Sequence, residues 1–300
     1  MKVINIVTQK GGTGKTETCK NLALGLAKKG KKILVIDLDP QANTTTNLLQ
    51  TSRALDHDAM QEMKIEFDIL MKQLEINGET ATGVEGIDII HRYTKRYSDN
   101  KDTSAVLLTP ASIKEIIQHT KYENLDIIPS SSALMETDIK LKSACIGSDS
   151  RLATALELVK NEYDAVIIDH SPFINALTIN GIIAAKNEGD LIIIPVKLES
   201  ASLDGMDTVF QQMIEILNYS YLGFDFKLLF TMKNRNKNER ELEETLRYLF
   251  PDRCFNTAIR YQAKPINDAS AKKKVLIADS HSNVANDYNT FVDECFELLF

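Results

Sequence analysis

The sequence predicts an α/β fold, a doubly wound and mostly parallel sheet with helices on both faces. Three observations carry that expectation. Short apolar, β-branched runs recur at 3–8, 33–36, 125–128, 165–168, 191–196 and 227–231, each with the length and composition of a strand buried on both faces. Stretches with helical periodicity lie between them, at 151–163 and 202–217 for example. The first two runs enclose a glycine cluster and a helical stretch within about 35 residues, the size of a βαβ unit, whose strands are parallel.

The elements follow in order. The run 3–8 ends at Gly11, Gly12 and Gly14, a helical stretch through 21–27 stops at Gly30, and Lys31 and Lys32 lead into the second strand. Segment 51–103 breaks the rhythm. It is polar, carries Gly83 and Gly86 near its middle and ends in Arg-Tyr-Ser-Asp-Asn-Lys-Asp. It reads as an insertion, part helix and part loop, in a chain otherwise organised as one domain over 1–300.

Composition narrows the class. With 300 residues, 43% hydrophobic and 26% charged, the chain is neither disordered nor fibrous. Its longest apolar runs, such as 191–194, fall far short of the about 20 residues a membrane span needs. The first residues are too short an apolar run for a secretory signal, so a cytoplasmic location is expected. Net charge is -7, yet the window 227–274 holds 12 Lys/Arg against 6 Asp/Glu, leaving -13 on the remainder. A basic patch on an acidic body fits either a solvated face or one anionic partner. Cys19, Cys145, Cys254 and Cys295, like His57, His91, His119, His170 and His281, show no ligand spacing. Free thiols and no structural metal are expected.

The strongest signal is Gln9-Lys10-Gly11-Gly12-Thr13-Gly14-Lys15-Thr16, placed between the first strand and the first helix. Glycines turn backbone N–H groups toward one point, and the helix N-terminus adds positive potential. Lys15 can reach β- and γ-phosphates, and the Thr16 hydroxyl can ligate Mg²⁺. Gln9 stands where the common GxxxxGK[ST] pattern has its first glycine.

KGGTGKT resembles the deviant Walker A box of the ParA/MinD family of P-loop ATPases, marked by the extra lysine, here Lys10. The resemblance implies ATP and Mg²⁺ as cofactors, with Lys10, Gly11, Gly12, Thr13, Gly14, Lys15, Thr16 and Glu17 around the nucleotide. It gives Lys10 a role in trans: the lysine crosses the interface of an ATP-bound homodimer and acts as an arginine finger does. The run 33–43, ending Asp37-Leu38-Asp39-Pro40-Gln41-Ala42-Asn43, is similar to the family's DxDPQxN segment. It implies that Asp39 orients the attacking water and joins the metal shell, while Asp37 supports the loop. Run 165–169 resembles the Walker B strand, giving Asp169 to Mg²⁺ with Thr16. His170-Ser171-Pro172 departs from the family's continuation, and His170 reads as a loop histidine satisfied by backbone or as one that tunes the site.

The resemblance extends through 125–276. It implies an adenine contact at Asn234, a position that also suits a simple turn asparagine. It implies nonspecific DNA binding through the basic segment at 227–274, from Arg235, Arg260, Lys264, Lys272, Lys273 and Lys274. Here Arg260 replaces the family's proline and Lys272 its glycine, so the backbone is expected to differ. Such phosphate contacts are sequence-independent and salt-sensitive. The implied function is an ATP-dependent DNA partition ATPase, nucleoid-associated, released from DNA when a ParB-type adaptor stimulates hydrolysis. The alternative is a MinD-like membrane-associated positioning ATPase. Such proteins end in a basic amphipathic helix, whereas no Lys or Arg follows Lys274, so an acidic helix packed on its own domain and no membrane partner are expected. An iron–sulfur reductase of the nitrogenase type needs paired cysteines, and Cys145 has no evident companion. A ligase or kinase on the same fold needs a substrate pocket, for which segment 51–103 is the available material.

Overall fold

The computed structural model describes residues 1–50, 57–80, 83–96, 101–144, 147–198, 211, 225–234 and 236–300. Among these, the strands β1 (Lys2–Ile6), β2 (Ile33–Leu38), β3 (Gln118–His119), β4 (Leu125–Ile128), β5 (Ala165–His170), β6 (Leu191–Lys197), β7 (Asp225–Lys233) and β8 (Cys254–Arg260) form one sheet. Its order is β3-β4-β2-β5-β1-β6-β7-β8. The β3–β4 pair is antiparallel, and every other neighbour pair is parallel. The described helices are α1 (Lys15–Lys28), α2 (Asn43–Leu49), α3 (His57–Asn77), α4 (Val84–Arg96), α5 (Thr103–Leu108), α6 (Ile113–Ile116), α7 (Ala133–Ser143), α8 (Arg151–Glu157), α9 (Ala176–Ala184), α10 (Lys237–Leu249), α11 (Ala263–Ala271), α12 (Leu276–Asp279) and α13 (Asn283–Leu299).

Alternation along the strands builds a core on each face. Ile4, Ile33, Val35, Ile167 and Ile193 join α1 and α13 on one side. Val3, Leu34, Ile36, Val166 and Ile168 join α5, α7, α8 and α9 on the other, as side chains of period two require. Beyond β6 that second face is covered by Leu242 and Leu246 of α10. α1 and α13 approach closely because residue 25 is glycine: a Cβ there would lie 2.4 Å from Val292 Cγ2.

The expected α/β fold is the observed one, with local differences. β8 was not anticipated: its alternation is blurred by exposed Asn256 and half-buried Thr257. The helix expected over 151–163 ends at Glu157 and continues as turns. His170 is the last residue of β5 rather than a loop residue, and it bonds a side chain rather than backbone. Among its described residues segment 51–103 holds two helices, α3 and α4, and Thr103 already belongs to α5. The expected helix 202–217 lies outside the described residues apart from Gln211.

α13 answers the expectation about the chain's acidic tail. Val284, Tyr288, Phe291, Val292 and Cys295 are buried against the body. Among the described residues no helix is long and apolar enough to cross a membrane.

Candidate functional site

The parallel strands β1, β2 and β5 end side by side, with Ile6 beside Asp169 and Asp37 beside Asp169 in register. Ligands of open α/β sheets gather at such carboxyl ends. From β1 the chain enters the loop 9–14. Gly12 (φ +72°) and Gly14 (φ +84°) adopt left-handed conformations that strain any residue with a Cβ. Gly14 caps α1, whose first-turn N–H groups supply an anion-binding end.

Lys15 is buried, and its Nζ lies 3.4 Å from the Lys10 carbonyl oxygen. The Thr13 hydroxyl donates to the same carbonyl at 3.4 Å. β7 anchors the loop from the other side, where Thr231 Oγ1 donates to the Thr13 carbonyl at 2.7 Å. Burial lowers the Lys15 pKa, and the charges of Asp169 and Asp39 oppose that shift. The loop therefore presents a partly desolvated ammonium beside carboxylates, an arrangement that an anionic phosphate would complete.

Asp169 is the centre of the acidic half. Its Oδ2 accepts from Thr16 Oγ1 at 3.0 Å and from Thr44 Oγ1 at 2.6 Å. Its Oδ1 is buried without a hydrogen-bond partner. Asp37, also fully buried, accepts from the Asp39 amide at 3.0 Å and from the Thr45 amide and hydroxyl at 2.9 and 2.7 Å. Burial pushes both carboxyls above the usual range, and the nearby Asp169 charge adds to the push on Asp37. Two desolvated carboxylates and a hydroxyl with one orphaned oxygen form a donor set that suits a hard divalent cation. Such a cation would relieve their repulsion. The observed features fit Mg²⁺ at Thr16 and Asp169.

Asp39 lies in the same neighbourhood, close enough to act electrostatically on Lys15 and Asp169. Its Oδ1 accepts from the Gln41 amide at 2.9 Å and so helps shape the turn into α2. Thr44 and Thr45 were missed by sequence reasoning. The run Asn43-Thr44-Thr45-Thr46-Asn47 reads as polar loop, because β-branched and short polar residues are weak helix formers. Here it is a helix held by its own hydroxyls.

Other expected residues divide. Glu17 is engaged within α1: its carboxylate takes Lys20 Nζ at 2.6 Å and its carbonyl takes Asn21 Nδ2 at 2.7 Å. Lys10, Gly11 and Gly12 are exposed at the loop rim. Asn234 follows β7 and is held by Glu239, which accepts from its amide at 2.6 Å and from Nδ2 at 3.1 Å. An open cavity of about 540 Å³ is lined by Asn234 together with Arg260, Tyr261, Gln262 and Asp287. His170 Nε2 lies 2.7 Å from Asn5 Oδ1. Burial and the Lys15 charge lower the His170 pKa to about 3, so its ring is neutral.

The basic residues fall into two groups. Lys264, Lys272 and Lys274 line one hollow of about 320 Å³ beside α11, and Lys274 pairs with Asp279 at 2.6 Å. Lys273, not Lys272, takes the left-handed conformation (φ +50°), and its carbonyl accepts from Gln50 Nε2 at 3.1 Å. Arg260 lies apart from this group, bidentate on Asp287 at 2.7 and 2.8 Å. Arg235 lies outside the described residues.

The family model AAA_31, described as an AAA domain, matches residues 1–222. The chain is 30% identical over 292 residues to the sporulation initiation inhibitor protein Soj of Bacillus subtilis, covering 96% of this chain and 95% of that protein. It is 28% identical over 284 residues to the chromosome partitioning protein ParA of Caulobacter vibrioides, covering 93% and 88%. Among solved structures, a McdA variant from Cyanothece in complex with ATP superposes with a TM-score of 0.70 at 18% identity, covering 99% of this chain and 96% of that one.

Proposed function

The chain belongs to the AAA_31 family of P-loop NTPases, among the ParA/Soj partition proteins, and from that premise we propose that it is an ATP-dependent DNA partition ATPase. The observation that carries the reading is the Asp169 carboxylate, clasped by Thr16 and Thr44 with its second oxygen buried and unpartnered. Lys15 and the loop amides hold the β- and γ-phosphates, while Thr16 and Asp169 hold Mg²⁺. When bound, Mg²⁺ neutralises charge on the phosphate oxygens. Asp39, whose charge acts on both Lys15 and Asp169, orients the attacking water. Lys10 stands at the exposed rim, where a second protomer closing over the loop would meet it, and contributes in trans to an ATP-bound homodimer.

The partition step adds two partners. The lysines around α11 give the closed dimer a phosphate-binding surface for nonspecific DNA. A ParB-type adaptor on the cargo raises hydrolysis and releases the dimer. Nothing observed favours the membrane-associated alternative, since α13 spends its apolar face on the body.

Turnover tests the enzymatic half. ATP hydrolysis is followed with Mg²⁺, with duplex DNA, and with DNA plus a ParB-type adaptor. The expected result is slow basal turnover that rises only with DNA and adaptor together and is abolished by Lys15→Ala. Fast turnover without partners, or turnover retained in Lys15→Ala, contradicts the proposal.

A further inference from the structure

The turn that carries Lys272, Lys273 and Lys274 runs against its own sequence. α11 ends in a paired cap, with the Lys274 amide donating to the Ala269 carbonyl and the Lys273 amide to the Ser270 carbonyl, both at 2.9 Å. This cap places Lys273 in the left-handed region (φ +50°), where glycine is the usual occupant because a Cβ is strained there. A lysine at that position leaves the cap weak by itself. Its outside support is Gln50, whose Nε2 donates to the Lys273 carbonyl at 3.1 Å. The cap sets the direction of three lysines, two of which, Lys272 and Lys274, line the hollow beside α11.

Gln50 closes α2 and is itself left-handed (φ +55°), as is Ala42 (φ +43°), which opens the same helix. Three of the five non-glycine residues with positive φ among the described residues thus lie on one path. Backbone of this kind persists only where surrounding contacts hold it, and it gathers at switch regions. The first turn of α2 is held by the acidic centre, Thr44 by Asp169 and Thr45 by Asp37. Leu48 is buried in the core, and a helix of seven residues spans only about 10 Å, so α2 moves as one body. Thr16 and Thr44 donate to the same Asp169 oxygen, so a cation ligated by Thr16 and Asp169 alters the bond that fixes Thr44. We propose that α2 couples Mg²⁺–nucleotide binding at Asp169 to formation of the lysine turn 272–274, with Thr44 sensing the metal and Gln50 holding the cap. The inference rests on the nucleotide reading of that site. By linkage, an anionic partner on the formed turn tightens Mg²⁺–nucleotide binding by the same factor.

Amide hydrogen exchange at Lys273 and Lys274, measured without DNA, tests this. The full chain is compared free, with a slowly hydrolysed ATP analogue plus chelator, and with the same analogue plus Mg²⁺. In the wild type, exchange is expected to slow about tenfold only when analogue and Mg²⁺ are both present. Two variants should remove that dependence in opposite ways. Gln50→Ala takes away the outside support and leaves exchange fast in every state. Lys273→Gly relieves the cap and leaves exchange slow in every state. Circular dichroism checks that both fold, and titration with a fluorescent ATP analogue checks that both bind nucleotide as the wild type does. Slowing that survives in Gln50→Ala, as burial under a second protomer would give, overturns the proposal. So does a wild type that binds Mg²⁺–nucleotide with no change at Lys273 and Lys274, which leaves the nucleotide reading intact. A wild type that binds no Mg²⁺–nucleotide overturns that reading and this inference together.

Discussion

At the scale of single residues, neighbouring threonines of α2 have different duties. Thr44 serves the Asp169 carboxylate and Thr45 serves Asp37. Thr44→Val removes one of two hydroxyls on the proposed metal ligand and is expected to weaken Mg²⁺ affinity about 10–100-fold, the range for groups that orient a ligand. Nucleotide binding without metal stays near wild type, and fluorescent-nucleotide titrations with and without Mg²⁺ separate the two. Thr45→Val removes a hydrogen bond from a buried carboxyl and the one that the Ser130 amide donates to the Thr45 hydroxyl at 2.9 Å. A loss of about 1–3 kcal/mol is expected, read as a lower denaturant midpoint. If Thr44→Val alters stability and leaves metal affinity intact, the assignment of roles is wrong.

At the scale of elements, the close passage of α1 over α13 is set by Gly25. Gly25→Val forces its methyls into Val292 and is expected to cost about 1–3 kcal/mol. Val292→Ala in the same chain recovers part of that loss, and the four proteins form a double-mutant cycle with a nonzero coupling. Additive effects would mean that the helices separate rather than clash. Elements also show what was legible beforehand. β2, β5 and β6 are buried and read as apolar runs, and β1 as one interrupted by Asn5. The phosphate loop is legible because its backbone demands glycine at fixed spacing. β8, at the sheet edge, exposes Asn256 and Arg260 and lacks such a run. α2 was hidden because it is held by contacts outside the helix, with nearby Asp37 and with the distant Asp169 and Ser130, and not by its own propensity. The Glu17 carboxylate was not legible in the same way: position beside the loop does not reveal that it pairs with Lys20.

At the scale of the molecule, one end of the sheet gathers the acidic groups and the glycine-rich loop with Lys15, and the turn after α11 gathers lysines. α2 touches both, with Thr44 on Asp169 and the following Gln50 on the Lys273 carbonyl. If lysines near α11 hold DNA phosphates, replacing Lys264 or Lys272 with alanine lowers affinity across sequences alike and reduces the salt slope by about one per contact. Arg260→Ala behaves differently, because its guanidinium is committed to Asp287. It is expected to disturb the cavity shared with Asn234 and leave the salt slope close to wild type. A salt slope unchanged by the lysine variants would move the DNA surface elsewhere on the molecule.

The most direct measurement of the central claim is affinity for nonspecific duplex DNA without nucleotide, with ADP, with ATP and with a slowly hydrolysed ATP analogue. It is made at two salt concentrations, with Lys10→Ala and Lys15→Ala beside the wild type. The account predicts tight, salt-sensitive binding only with ATP or its analogue, lost in both variants. Equal affinity in every nucleotide state, or ATP-dependent binding that survives both substitutions, would contradict it.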